Sequence, residues 1–291
     1  MNKIIIINSP GRMANKLHLY ASIYAYCLEK EYKCANYDFK KFKKYFNIPA
    51  PKFNLKTEIL KLLIKIATRI KFLSFLKNAF LEQIIDGSQE FLLSPDTNNN
   101  VKQKEILARI DKSSNKNYYF NGWLFRSYVG IEKYHAEIKE YFKPRQEYLA
   151  LITQFINELK NKYKLIIGVH IRQGDYKTWR LGEYFFNFSQ INNILNELQN
   201  NLLYKKEEII FVLCSDEAIE KNKFINLNFV KGLGNEISDL YTLSECDLII
   251  GSNSTYNAWA AYYGRKPRVI FSKEKINWTK ALSAINLKNN K

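Results

Sequence analysis

Histidine is scarce, at three residues in 291, and the four cysteines (Cys27, Cys34, Cys214 and Cys246) contain no Cys-x-x-Cys pair. A zinc centre is therefore not expected. No Gly-x-Gly-x-x-Gly fingerprint and no Walker sequence occurs, so the usual signals for a dinucleotide or a P-loop triphosphate are missing. There is also no Asp-x-Asp. A divalent ion on a diphosphate would want such a carboxylate pair, so any diphosphate is expected to be neutralised by arginine rather than metal. The apolar run Ile4–Ile7 is too short for a signal-peptide core, and no stretch approaches the length of a membrane span. These absences lead to the expectation of a cytoplasmic protein, with peripheral contact at the inner face of the membrane left open.

What is present is charge and apolar bulk. Lys and Arg number 45 against 28 Asp and Glu, a net charge of +17 that attracts polyanions of several kinds: nucleotides, nucleic acid or an anionic membrane. Hydrophobic residues make up 46% and aromatics 15%, enough for real cores. The length suits two α/β domains better than one small core.

The order of elements supports this. Ile4–Ile7 reads as a strand, Pro10-Gly11-Arg12 as a turn, and residues 13–30 as a helix with Leu17, Tyr20, Ala21, Tyr24 and Leu28 at helical spacing. Residues 53–85 have a helical pattern with interleaved lysines, read as core-packing helices or as a basic surface for anionic lipid. Residues 86–117 look like polar loops, and a strand restarts at Tyr118. A helix follows around residues 131–141, and Phe142-Lys143-Pro144-Arg145 stops it. The expected division is thus 1–145, with a basic helical insertion at about 53–117, and 146–291. In the second half, strands at 165–171, 208–215, 229–230, 248–251 and 269–271 alternate with helices at 189–200, 217–224, 238–244 and 255–263. That rhythm implies a mostly parallel sheet, with ligands at the carboxyl ends of its strands.

Three clusters fall at such ends. The run Leu165–Ile171 delivers His170, Arg172, Gly174 and Asp175. Arg172 can fork two N–H groups onto a phosphate. Equally, His170 could be a core histidine and Arg172–Asp175 a local ion pair. The run Gly251-Ser252-Asn253-Ser254-Thr255 precedes a helix, whose first amides favour an anion, although simple capping by Asn253 or Ser254 would leave the same pattern. Asp216, after the strand ending at Cys214, could cap a helix or bind a nucleotide.

Together these segments resemble the fucosyltransferases that use GDP-fucose, especially the α-1,2 group. The resemblance rests on His170-x-Arg172-x-Gly174-Asp175-Tyr176. It extends to Pro10-Gly11-Arg12-Met13-Ala14-Asn15-Lys16-Leu17, Phe120-Asn121-Gly122-Trp123, Ser215-Asp216, the run Asp239–Cys246 and the run Gly251–Ala261. It departs where Ala14 replaces a second glycine, Lys16 a glutamine and Gln173 a second arginine, and residues 39–117 match nothing in it. The resemblance implies a GT-B fold, two Rossmann-like domains facing a cleft, with the donor mainly on the C-terminal half. It implies inverting transfer of fucose to a glycan hydroxyl, without metal or other cofactor. Arg172, Asp175 and His170 are then the catalytic candidates, with the general base open between the last two. Arg172, Asp216, Asp239, Ser252, Asn253, Ser254 and Thr255 would bind the donor, and Gly11, Arg12, Asn15 and Trp123 would line the acceptor side. The expected partners are a GDP-sugar and a glycan acceptor that could be lipid-linked, not nucleic acid. The alternatives are another GDP-sugar, another linkage such as α-1,6, or a basic nucleic-acid-binding protein, for which no known RNA-binding signature is present.

Overall fold

A computed structural model describes residues 3–49, 117–122 and 125–283, with 55, 57–59, 62, 84–87 and 91–93. Contacts divide the chain into two compact units, Met1–Lys143 and Pro144–Lys291. Both are α/β units built on a parallel sheet.

In the first unit, β1 (Lys3–Asn8) is followed by α1 (Met13–Glu29) and β2 (Lys33–Asn36). Then come β3 (Ile84–Gly87), β4 (Phe91–Leu93), β5 (Asn117–Gly122) and β6 (Phe125–Ser127). The short helices α2 (Tyr128–Lys133) and α3 (His135–Tyr141) close the unit. The four-stranded sheet runs β2-β1-β5-β3, and β4 pairs with β6. Every pairing is parallel. β1 is buried along Ile4–Ile7, as a central parallel strand covered on both faces must be. α1 buries residues around most of its circumference, from Met13 and Leu17 to Tyr26 and Cys27. An aromatic cluster carries much of this packing: Tyr20 sets its ring edge-on against Phe39, Tyr141 and Phe142 at 5.6, 5.7 and 5.2 Å.

Two expectations fail in this unit. Ile84 and Ile85 lie in β3, beside Tyr119 and Phe120, instead of ending a helix. Residues 84–87 and 91–93 are strands within what reads as helix end and polar loop. Each strand is only three or four residues long and takes its order from neighbours distant in sequence, which local composition does not show. The rest of the expected basic helical stretch, apart from residues 55, 57–59 and 62, lies outside the described residues.

The second unit opens with α4 (Gln146–Lys160), which buries Ile152, Ile156 and Leu159 on one face. It continues with β7 (Leu165–Ile171), α5 (Phe188–Asn200), β8 (Ile209–Ser215) and β9 (Phe229–Lys231). α6 (Glu236–Glu245), β10 (Leu248–Gly251), α7 (Thr255–Gly264), β11 (Arg268–Ile270) and α8 (Trp278–Ala281) complete it. The sheet order is β11-β10-β7-β8-β9, all parallel. This is the doubly wound order, in which the first strand lies at the centre and the chain reverses direction across the sheet between β7 and β10. All seven residues of β7 are buried, which is why its sequence is a nearly unbroken apolar run. Asn187 begins α5 through a reciprocal capping box with Gln190. The helix expected at 217–224 is absent; only a single turn at Lys221–Lys223 forms. Eight residues with few apolar positions cannot stabilise a helix by packing.

Among the described residues, no helix is long and apolar enough to cross a membrane. All four cysteines are free thiols.

α6 and α7 pack closely, and Gly264 is where they meet: a Cβ there would lie 2.0 Å from the Ser244 carbonyl oxygen. Backbone cannot swing aside as a side chain can, so Gly264→Ala should destabilise the second unit by about 1–3 kcal/mol. The midpoint of chemical denaturation measures it; an unchanged midpoint would contradict this packing.

Candidate active site

The site grows from the reversal point between β7 and β10. β7 ends at Ile171 and β10 at Gly251, and the two loops are stitched together. Ser252 N–H donates to the His170 carbonyl at 3.0 Å, and Arg172 N–H donates to Ser252 Oγ at 3.0 Å. Asn257 Nδ2 holds the Ser252 carbonyl at 2.8 Å. Gly251 is required for this approach, since a Cβ there would lie 2.3 Å from the His170 carbonyl oxygen.

On that seam stands Arg172. Its guanidinium meets Asp175 Oδ1 at 2.7 Å through Nη2 and Asp216 Oδ2 at 3.1 Å through Nη1. Its side chain is 14% exposed, that of Asp216 21% and that of Asp175 50%. Asp216 also accepts from Gln173 N–H at 2.8 Å, so one carboxylate after β8 fixes both the backbone and the charge of the loop after β7. Gly174 lies against Asp216, whose Oδ2 would be 3.0 Å from a Cβ. Gln173 is buried, and its Nε2 donates to the Phe186 carbonyl at 2.8 Å. An arginine at this position would bring a charge where Gln173 supplies a neutral donor to a buried carbonyl.

The N-terminus of α7 lies beside this seam. Ser254 caps it, accepting from Tyr256 N–H at 3.2 Å, so plain capping and an anion-facing helix start coexist here. Tyr176 OH reaches the Asn253 carbonyl at 2.7 Å, and the Tyr176 ring lies 5.6 Å from the Arg172 guanidinium. Arg172, Asp175, Asp216, Ser252, Asn253, Ser254 and Thr255 are thus gathered at one edge of one sheet.

His170 lies beneath them. It is buried and stacked on Tyr256 at a ring distance of 4.8 Å. Burial, with Arg172 and Arg268 nearby, pushes its pKa down to about 3, so the ring is neutral. A buried, weakly basic ring fits positioning of the β7 terminus better than proton acceptance from an incoming hydroxyl.

Asp239, in the first turn of α6, is also buried. Its Oδ1 accepts from Gly234 N–H at 3.0 Å, and burial pushes its pKa up to about 6. Gly232 makes room for it: a Cβ would sit 2.5 Å from Oδ1.

The acceptor-side candidates belong to the first unit. Gly11 has a positive φ of 97°, and a Cβ there would meet the Asn15 side chain at 2.7 Å, so the tight loop needs glycine on both counts. Arg12 is exposed and precedes α1. Lys16 turns back to bind the Ser9 carbonyl and Asp38 Oδ2, while Ser9 N–H and Oγ both donate to Asp38 at 2.8 Å. Lys16, where the family pattern has glutamine, therefore ties the loop after β1 to the loop after β2. Trp123 lies outside the described residues. Among the described residues, no three of His, Cys, Asp and Glu are gathered as a metal would need.

The family model of glycosyl transferase family 11 matches residues 13–275. The chain belongs to that family and is a glycosyltransferase. Among solved structures, a point mutant of Arabidopsis thaliana FUT1 in complex with GDP matches with a TM-score of 0.61 at 12% identity, covering 95% of this chain and 71% of that one. NodZ α-1,6-fucosyltransferase soaked with GDP-fucose matches with a TM-score of 0.55 at 16% identity, covering 92% and 94%. At these identities the likeness establishes the fold, GT-B. No curated protein sequence matches the chain.

Asp239 supplies a test of the site's electrostatics. A carboxyl raised from 3.8 to about 6 takes up its proton more readily folded than unfolded. Its favourable contribution is complete below about pH 4 and is lost as pH rises through 6. Asp239→Asn, which removes the buried charge, should therefore stabilise the protein at pH 7 by about 1–3 kcal/mol and leave it unchanged near pH 4. Denaturant melts at the two pH values check this; destabilisation at pH 7 would mean that the carboxylate is better solvated than its burial implies.

Proposed function

We propose that this glycosyltransferase transfers fucose from GDP-fucose to a hydroxyl of a galactoside, forming an α-1,2 linkage with inversion at the anomeric carbon and without metal. The observation that carries the reading is the guanidinium of Arg172, held by two carboxylates where strand order reverses and beside the N-terminus of α7. Family membership supports it, as do the folds shared with proteins solved with GDP or GDP-fucose.

In this reading the β-phosphate sits against Arg172 and the first amides of α7, with the Ser254 and Thr255 hydroxyls in reach. The acceptor oxygen attacks the fucosyl anomeric carbon, and the bond from that carbon to the phosphate oxygen breaks. The electron pair leaves with GDP. Negative charge grows on the β-phosphate as the sugar becomes cation-like, and a fixed guanidinium stabilises that charge more than it stabilises the ground state. Asp175 and Asp216 hold the fork in place beforehand. Asp175, half exposed and already on the guanidinium, is the better placed carboxylate to take the acceptor proton, while His170 orients the strand end. Asp239 would accept hydrogen bonds from the guanine edge, which requires it ionised.

Arg172→Ala should lower kcat/KM for GDP-fucose by about 100- to 1,000-fold with an unchanged denaturation midpoint. Near-normal kinetics in a folded variant would overturn the assignment. Wild-type affinity for GDP should fall about tenfold per pH unit below pH 6, as Asp239 protonates. Calorimetry at pH 5 and 7 reads this, and a flat profile would remove Asp239 from the donor site. EDTA should leave transfer intact, and loss of activity would contradict a metal-free mechanism.

A further inference from the structure

The loop from Arg172 to Asn187 continues beyond the residues of the Arg172 clamp, and it carries a cluster of aromatic rings of which Trp179 is exposed and Tyr184 partly so. Tyr176, already against Arg172, stacks on Trp179 at 5.2 Å with planes 25° apart. Trp179 in turn faces Tyr184 at 5.3 Å and 32°. Arg180 lays its guanidinium over Trp179 at 5.2 Å and reaches Tyr184 OH at 3.4 Å. Trp179 is 45% exposed. The backbone is forced to make this display: Arg180, Leu181 and Gly182 have successive positive φ values of 48°, 57° and 73°. Two of these are not glycine, and such conformations persist only where the surroundings over-determine them. A loop selected only for stability would place glycine or asparagine there.

We propose that Trp179, Arg180 and Tyr184 form a subsite for a sugar ring of the acceptor glycan. The proposal rests on the transferase reading above. A pyranose has one face of polarised C–H groups, which pack on the electron-rich face of an indole or phenol, and a rim of hydroxyls that accept from a guanidinium. The exposed ring surface of Trp179, with Tyr184 and Arg180, supplies both, on a ladder of contacts that begins at Arg172, against which the reading above seats the donor phosphate. An acceptor held here is led toward the reacting centre by the same loop that holds the phosphate.

The test separates acceptor from donor. Binding of a panel of soluble β-galactosides, lactose included, is read by saturation-transfer NMR with GDP present, so that no turnover is required. Wild type should bind members of the panel. Trp179→Ala should lose that binding, and Trp179→Phe should recover part of it. Where turnover is measured, acceptor KM should rise about tenfold or more in Trp179→Ala with kcat little changed. GDP affinity should stay within about twofold in each variant, since stacking and phosphate contacts are separate interactions. Leu181→Ser, at a fully exposed side chain outside the ladder, should behave as wild type. Equal glycan binding by wild type and Trp179→Ala would overturn the subsite, as would a wild type that binds none of the panel. If Leu181→Ser and Trp179→Ala both lose activity only toward acceptors carried in anionic vesicles, the loop is a membrane contact and the proposal is wrong. Absence of transfer from GDP-fucose, with Trp179-dependent glycan binding intact, would instead fault the donor reading and leave the subsite standing.

Discussion

The clamp on Arg172 is the constraint on which the second unit's site depends. A guanidinium at the end of a fully buried strand is useful only if it cannot fold back or wander. Asp216 prevents both by holding the guanidinium and the Gln173 amide at once, from the loop after the adjacent strand. Gln173 then anchors the outgoing loop to Phe186. The clamp in turn needs β7, β8 and β10 in register, with Gly251 and Gly174 giving the loops room to approach. Sheet order, two glycines and one aspartate thus converge on one cation. A cation so fixed needs no reorganisation when charge develops against it.

The same arrangement places a cost on the molecule. Asp239 is ionised at neutral pH although burial resists it, and the residues at 180–182 occupy backbone conformations that side chains disfavour. Both lie in loops or first turns at one edge of the sheet, while the strands beneath are apolar and unstrained. Stability is supplied by the sheet and its helices, and this cost is carried by the loops and helix starts at the strands' carboxyl ends, although single left-handed residues also occur elsewhere, at Asn226 and Arg265.

Much of this edge was legible in the sequence. Buried parallel strands announce themselves as unbroken apolar runs, so β7, β8 and β10 and the residues at their ends could be read directly. The clustering of Arg172, Asp216 and Ser252 followed from strand polarity. Other features were not legible. Gln173 looks like a substitution of uncertain meaning until its amide is seen on Phe186, because its partner lies thirteen residues away. The short strands β2, β3 and β4 take their form from neighbours far along the chain. The aromatic ladder from Tyr176 to Tyr184 has no periodicity to reveal it, being ordered by a run of left-handed residues. The sequence leaves two roles open for His170, and its burial and stacking on Tyr256 favour the structural one.

The central claim is that Arg172 recognises the β-phosphate of a guanosine diphosphate. It is tested most directly by comparing the affinities of GDP and GMP in wild type and Arg172→Ala. Charge-assisted hydrogen bonds of this kind are worth about 1.5–3 kcal/mol, so wild type should prefer GDP by about 10- to 100-fold. The variant should bind the two nucleotides almost equally. A preference for GDP that survives the loss of Arg172 would contradict the account.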